Sequence, residues 1–285
     1  GGADMTYDRV AYMPLITYPE AIADDSIRAA VAFAGSLGWA ISVTAFAVDL
    51  PRVTSGLGDL LIDIPGLVHS AEEKSRAECR RLEGFVHEAA ASQPELGMHF
   101  TTRKVEWGAA PADVATEARY FDLSLLPWSD KTALAQEVAE AVVFGSGRPA
   151  ILVPPSTRIS SLEHIAIAWD GSRVAARALG DALPLLAEGG LISVLTVRDE
   201  KPLRGPDLAE DLASALARRG FNAKAVETAL GKRTIAEALQ DTALSAGAQL
   251  LAMGGFGHSR VRDFVLGGAT RGIMTRLQVP VLLSH

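Results

Sequence analysis

The strongest constraint on this chain is an alternation that runs through it twice. Short apolar runs of strand length alternate with segments of helical period, five runs in residues 5–156 and five more in residues 157–285. In the first half the spacing predicts strands at Val10–Ile16, Trp39–Val48, Met98–Val105, Leu123–Leu126 and Pro149–Val153. Helices are predicted between them at Glu20–Leu37, Val68–Ala91, Ala110–Ala118 and Lys131–Phe144, the last with Leu134, Val138 and Val142 on one face. Pro154-Pro155-Ser156-Thr157 reads as a linker, and the pattern restarts. Strands follow at His164–Trp169, Leu191–Val197, Asn222–Thr228, Leu250–Met253 and Val279–Leu283, with helices at Arg173–Ala187, Asp207–Arg219, Thr234–Ala246 and Ala269–Leu277. Such alternation calls for a parallel sheet covered by helices on both faces. Right-handed crossovers then make each half a doubly wound, Rossmann-like α/β unit.

Composition removes several other classes. A chain of 285 residues that is 48% hydrophobic and 21% charged can fill one or two sizeable cores, which excludes disorder or collagen as whole-chain readings. Cys79 is the only cysteine, so no internal disulfide is available and a reducing compartment is expected. The net charge of −7 argues against a nucleic-acid surface. It is unevenly spread: residues 1–156 carry 21 acidic and 12 basic side chains (−9), and residues 157–285 carry 13 and 15 (+2). An anionic ligand is therefore expected in the second half. Ala29 to Val48 is uncharged over a length that would span a membrane. Gly35-Ser36-Leu37-Gly38 interrupts it like a helix stop, however, and the alternation that follows suits a strand. With no basic segment leading into a compact apolar core, a secretory signal is not expected either, and the expected location is cytoplasmic, away from membranes.

The segment with most chemical content runs from Gly254 to Thr270: GGFGHSRVRDFVLGGAT. It leaves the carboxyl end of one predicted strand and ends at the start of a helix, the end at which open α/β sheets bind ligands. Glycines allow main-chain N–H groups to approach phosphate oxygens with no Cβ in the way, and successive N–H groups form an anion nest. The helix beginning near Gly268 adds free donors and the positive end of its dipole. Thr270 falls in its first turn, and Arg260, Arg262 and Arg271 lie close in sequence. The same glycines would also serve a plain strand–loop–helix turn. Asp170, just after the first strand of the second half, favours the ligand reading, because strands one and four are neighbours in this topology and Asp170 would face the glycine loop. Either Asp170 or Ser172 could equally cap the following helix.

Gly254-x2-Gly257-x9-Gly267, Asp170 after strand one and the twin five-strand units together resemble a tandem universal stress protein over nearly the whole chain. The resemblance implies an adenine nucleotide alpha hydrolase-like fold in both halves. It implies binding of ATP, or of AMP or ADP, with or without Mg2+, in the second half. It assigns Ala168, Asp170, Val197, Met253, Gly254, Gly257, Gly267, Gly268, Ala269 and Thr270 to the nucleotide, with His258 and Ser259 as neighbours of the phosphate path. It further implies a homodimer, and an internal pseudo-dimer in which the fifth strands, Ile151–Val153 and Val281–Leu283, meet. One position departs from the family pattern. Gly268 stands where a Ser or Thr is usual, which removes a hydroxyl but leaves the main-chain N–H. A branch of the family binds no nucleotide, so an interaction module of the same fold stays open, as does an adenylyl-transferring or flavin-linked enzyme on a related sheet.

In the first half only Pro127-Trp128-Ser129-Asp130 separate the fourth strand from the next helix. Four residues cannot both wrap a triphosphate and return to a helix, so the first half is expected to be a degenerate copy. Gly145-Ser146-Gly147-Arg148-Pro149-Ala150 matches a dinucleotide fingerprint but follows a helix and precedes a strand, the wrong context. No Walker motif, no G-x-S-x-G elbow and no metal spacing among the six histidines occurs. Cys79 and His87, eight apart on a charged helix, are read as helix surface before a dyad, and Trp39, Trp107, Trp128 and Trp169 as core or interface. The Asp49–Gly66 loop is long for a compact domain and reads as a lid or an oligomer contact. No group suggests a general base, so no catalysis is expected.

Overall fold

The computed structural model describes residues 6–52, 63–128, 133–198, 207–255 and 277–285. Among them, ten strands form one sheet. In chain order the first half contains β1 (Val10–Ile16), α1 (Asp24–Leu37), β2 (Ala40–Asp49), α2 (Ile64–Ala91), β3 (Met98–Glu106), α3 (Ala110–Ala118), β4 (Leu123–Pro127), α4 (Ala133–Gly145) and β5 (Ala150–Val153). The second half contains β6 (His164–Ala168), α5 (Arg173–Ala182), β7 (Leu191–Arg198), α6 (Leu208–Arg218), β8 (Asn222–Ala229), α7 (Ile235–Ser245), β9 (Leu250–Gly254) and β10 (Val281–Ser284).

The strand order is β3-β2-β1-β4-β5-β10-β9-β6-β7-β8. Each half is parallel throughout, and the halves join where β5 and β10 pair antiparallel, Leu282 opposite Ile151. The two fifth strands do meet, and the same order runs outward from their seam on either side. One face buries α1, α2, α5 and α6 around Met13, Phe33, Leu82, Ile167 and Leu216. The other buries α3, α4 and α7 around Tyr12, Val114, Val142, Leu239 and Leu251. Central strands are apolar on both sides because both sides are covered, which is why β1 reads VAYMPLI with no alternation.

Local chemistry sets the element ends. Gly38 closes α1 in the left-handed conformation (φ 68°), its N–H on the carbonyls of Ala34 and Gly35. Asp63 caps α2 by accepting from the Gly66 N–H, and Thr234 and Glu237 form a reciprocal capping box on α7. Several expected boundaries move, α2 for instance starting at Ile64 and not Val68, and three of the shifts have a plain local cause. α1 begins at Asp24, not Glu20, so that Asp24 and Asp25 meet the positive end of the helix dipole. The helix expected to reach Ala187 stops at Ala182 and gives way to a 3-10 turn at Leu183–Leu185, because Pro184 has no N–H for the α ladder. The last strand starts at Val281 because Pro280 cannot donate; its carbonyl still accepts from the Leu251 N–H at 2.9 Å.

Candidate functional site

Each half has one place where the chain reverses its direction of progress across the sheet. In the second half, β6 connects through α5 to β7 on one side, while β8 returns through α7 to β9 on the other. The crevice outside the carboxyl ends of β6 and β9 is therefore the expected ligand position. Ala168 ends β6 opposite Leu195 of β7, whose carbonyl accepts from the Trp169 N–H at 2.8 Å. Asp170 stands just past that last ladder bond. Its Oδ1 accepts from the Ser172 N–H at 2.9 Å, across Gly171 in the left-handed region (φ 74°). Ser172, not Asp170, is the cap of α5, accepting from the Ala175 N–H at 3.2 Å.

Val197 and Met253 are buried near the carboxyl ends of β7 and β9, in the cluster covered by α7, and Ala168 packs against that cluster. Gly254 is the last residue of β9, and a Cβ there would meet Val174 in the first turn of α5. The structure thus brings Ala168, Asp170, Val197, Met253 and Gly254 to the ends of three adjacent strands around the switch point. The other expected ligand residues, Gly257, His258, Ser259, Gly267, Gly268, Ala269 and Thr270, lie outside the described residues, as do Arg260, Arg262, Arg271 and all but the end of the helix expected at Ala269–Leu277.

The first half holds a feature that the sequence reading missed. A cleft of about 360 Å³ opens over the carboxyl ends of β1, β2 and β3, between the first turns of α3 and α4. Ile16, Phe46, Val48 and Val105 line it from the strands and Leu134 from α4. Trp107 is exposed at the cleft and packs edge-on against Tyr18, ring centres 5.4 Å apart. Along the same face, Glu117 of α3 accepts from Tyr12, Thr44 and Arg103, tying β1, β2 and β3 to one helix. Burial and the adjacent Glu117 carboxylate push the Tyr12 hydroxyl far above the ordinary tyrosine range.

On the opposite face, Glu72 and Ser75 anchor α2 to the end of β2. The hydroxyl of Ser75 accepts from the Val48 N–H and lies 2.6 Å from that of Thr17. Cys79 is buried, which pushes its thiol up, whereas His87 is exposed and bonds the Glu83 carbonyl. Eight residues along a helix separate them by about 12 Å, too far for a dyad. Among the described residues no group of three or more potential metal ligands occurs, and no helix is long and apolar enough to cross a membrane.

Residues 161–285 match the model of the Universal stress protein family. In structure, the chain is similar to a universal stress protein from Archaeoglobus fulgidus DSM 4304, with 17% identity, a TM-score of 0.66, and cover of 96% of this chain and 95% of that one. A protein of the universal stress protein family from Burkholderia pseudomallei is 26% identical, covering 43% of this chain and 95% of its own, with a TM-score of 0.31. A universal stress protein in complex with cAMP is 18% identical over 43% of this chain and 97% of its own, also with a TM-score of 0.31. No curated protein matches the sequence. The whole chain therefore has the α/β fold of the Archaeoglobus fulgidus protein, and its residues 161–285 are similar in sequence to the universal stress protein family.

Proposed function

We propose that the second half, within residues 157–285, binds an adenine nucleotide at the crevice between β6 and β9, and that the ligand biases association instead of undergoing catalysis. The observation that carries this reading is the convergence of Ala168, Asp170, Val197 and Gly254 on the carboxyl ends of three adjacent strands at the switch point. Val197 and Met253 supply apolar contact for a base, and Asp170 supplies a carboxylate for its amino edge. Main-chain amides between residues 254 and 270 would take the phosphates of ATP, ADP or AMP. Mg2+ would be held chiefly by phosphate oxygens, since the described residues offer no cluster of ligands for it. Residues 5–156 form the supporting copy, the chain works as a cytoplasmic homodimer, and neither nucleic acid nor membrane is a partner.

The test is a thermal melt of the full chain with ATP. At 100 times its dissociation constant a specific ligand adds about 2.7 kcal/mol of stability. Gly257→Asp, which adds bulk and a negative charge where phosphate is expected, should remove that gain. The glycine at 268 favours one second reading, an interaction module without nucleotide. An unshifted melt at millimolar ATP would establish it, and a Gly257→Asp variant that still responds would overturn the site.

A further inference from the structure

We propose that the cleft in the first half is a second ligand site, built for a small organic cation, an amine with an apolar body. Its position over the carboxyl ends of β1, β2 and β3 is where an open α/β sheet receives ligands. Its volume of about 360 Å³ is that of a small-molecule pocket. Its walls are apolar, from Ile16, Phe46, Val48, Val105 and Leu134.

Among the described residues, the charge around those walls has one sign. Glu20, Glu106 and Glu137 line the cleft, and none of their carboxylates has a hydrogen-bond or ion-pair partner among the described residues. No basic residue is among the described lining residues. The first turns of α3 and α4 bring roughly half a positive charge each, which three full negative charges outweigh. A polyphosphate would be repelled here, whereas an ammonium would be drawn in. Trp107, 54% exposed beside Tyr18, offers an indole face of the kind that attracts cations. A smaller pocket adjoins through Ile16, Glu20 and Leu134 and is lined by Trp128. The indole N–H of Trp128, only 5% of whose surface is exposed, has no partner among the described residues, so this extension offers a donor to a ligand oxygen or to a water. This site is independent of the nucleotide reading.

The test is calorimetric titration of the full chain with phenethylamine, 2-phenylethanol and phenylacetate, one ring carrying a positive, a neutral or a negative head. The amine is expected to bind about tenfold more tightly than the acid, with the alcohol between. A Glu106→Gln/Glu137→Gln double variant should weaken the amine by roughly fivefold and leave the alcohol unchanged. Gly257→Asp should alter none of the three. Phenylacetate binding as tightly as phenethylamine, amine affinity unchanged in the double variant, or no heat from any of the three at about 10 mM would each overturn the proposal. If the double variant fails to fold, the order of the three ligands on the unaltered chain decides.

Discussion

Gly254 and Val174 approach so closely that a Cβ on the glycine would lie 2.5 Å from Val174 Cγ2 and 2.8 Å from its main-chain carbonyl carbon. No real Cβ tolerates such a contact with main-chain carbon, so the glycine allows the first turn of α5 to rest directly over the end of β9. The glycine motif thus begins with a packing requirement, whatever its later residues bind. Gly254→Ala is expected to cost about 1–3 kcal/mol, because the added methyl must push α5 away. Urea denaturation of the two proteins measures this; an unchanged midpoint would show that α5 moves freely.

Asp170 and Ser172 hold one turn but differ in what they face. Ser172→Ala removes the α5 cap and should cost about 1 kcal/mol, leaving nucleotide affinity intact. Asp170→Ala removes the acceptor for the Ser172 N–H, a similar loss in stability, and in the proposed site it also removes the partner of the base. Affinity for ATP should therefore fall at least about tenfold in Asp170→Ala alone. Equal affinities in both variants would remove Asp170 from the site.

The scaffold was legible in the sequence, and so was the place of the second-half switch point. β1 and α3 lie where their patterns place them, the first as an unbroken apolar run and the second opened by Pro111 in its first turn. Asp170 and Gly254 were legible because each directly follows or ends a strand that the topology sets beside the other. Residues 257–270 of the motif lie outside the described residues. The first-half cleft was not legible, because Ile16, Phe46, Val48 and Val105 come from three strands and look like ordinary core in the chain. Trp107, read in the chain as core or interface, is exposed at the cleft. α5 is shorter than its pattern because apolar periodicity continues through Pro184, whereas the backbone ladder does not.

Glu72 concentrates charge at the foot of α2. Its side chain is 5% exposed and meets Arg52 at 3.2 Å and Arg76 at 3.8 Å, themselves 66% and 34% exposed, while its Oε1 accepts from the Leu50 N–H at 3.3 Å. Since both guanidinium groups reach solvent, removing the carboxylate does not strand a buried cation. Glu72→Ala should cost about 1–3 kcal/mol, mostly through the lost acceptor, and Glu72→Gln less, because an amide oxygen still serves Leu50. Chemical denaturation orders the three proteins; Gln and Ala losing equally would assign the effect to charge.

His164 gives the fold a dependence on mildly acidic pH. It lies at the start of β6, buried, with Nε2 2.7 Å from the Ser193 hydroxyl of β7. Burial, and then the positive charge of Lys224 on β8, hold its pKa below the ordinary value of 6.5; a main-chain hydrogen bond with Gly247 opposes them weakly. The folded state therefore keeps the ring neutral where the unfolded chain already takes up a proton. Its contribution to stability is full above about pH 6.5 and is lost as pH falls from there through the lower folded pKa. Denaturation midpoints should drop between pH 7 and pH 5, and His164→Gln, which keeps a polar partner for Ser193 without a titrating ring, should flatten that part of the profile. Parallel profiles for the two proteins would place the acid sensitivity in other groups.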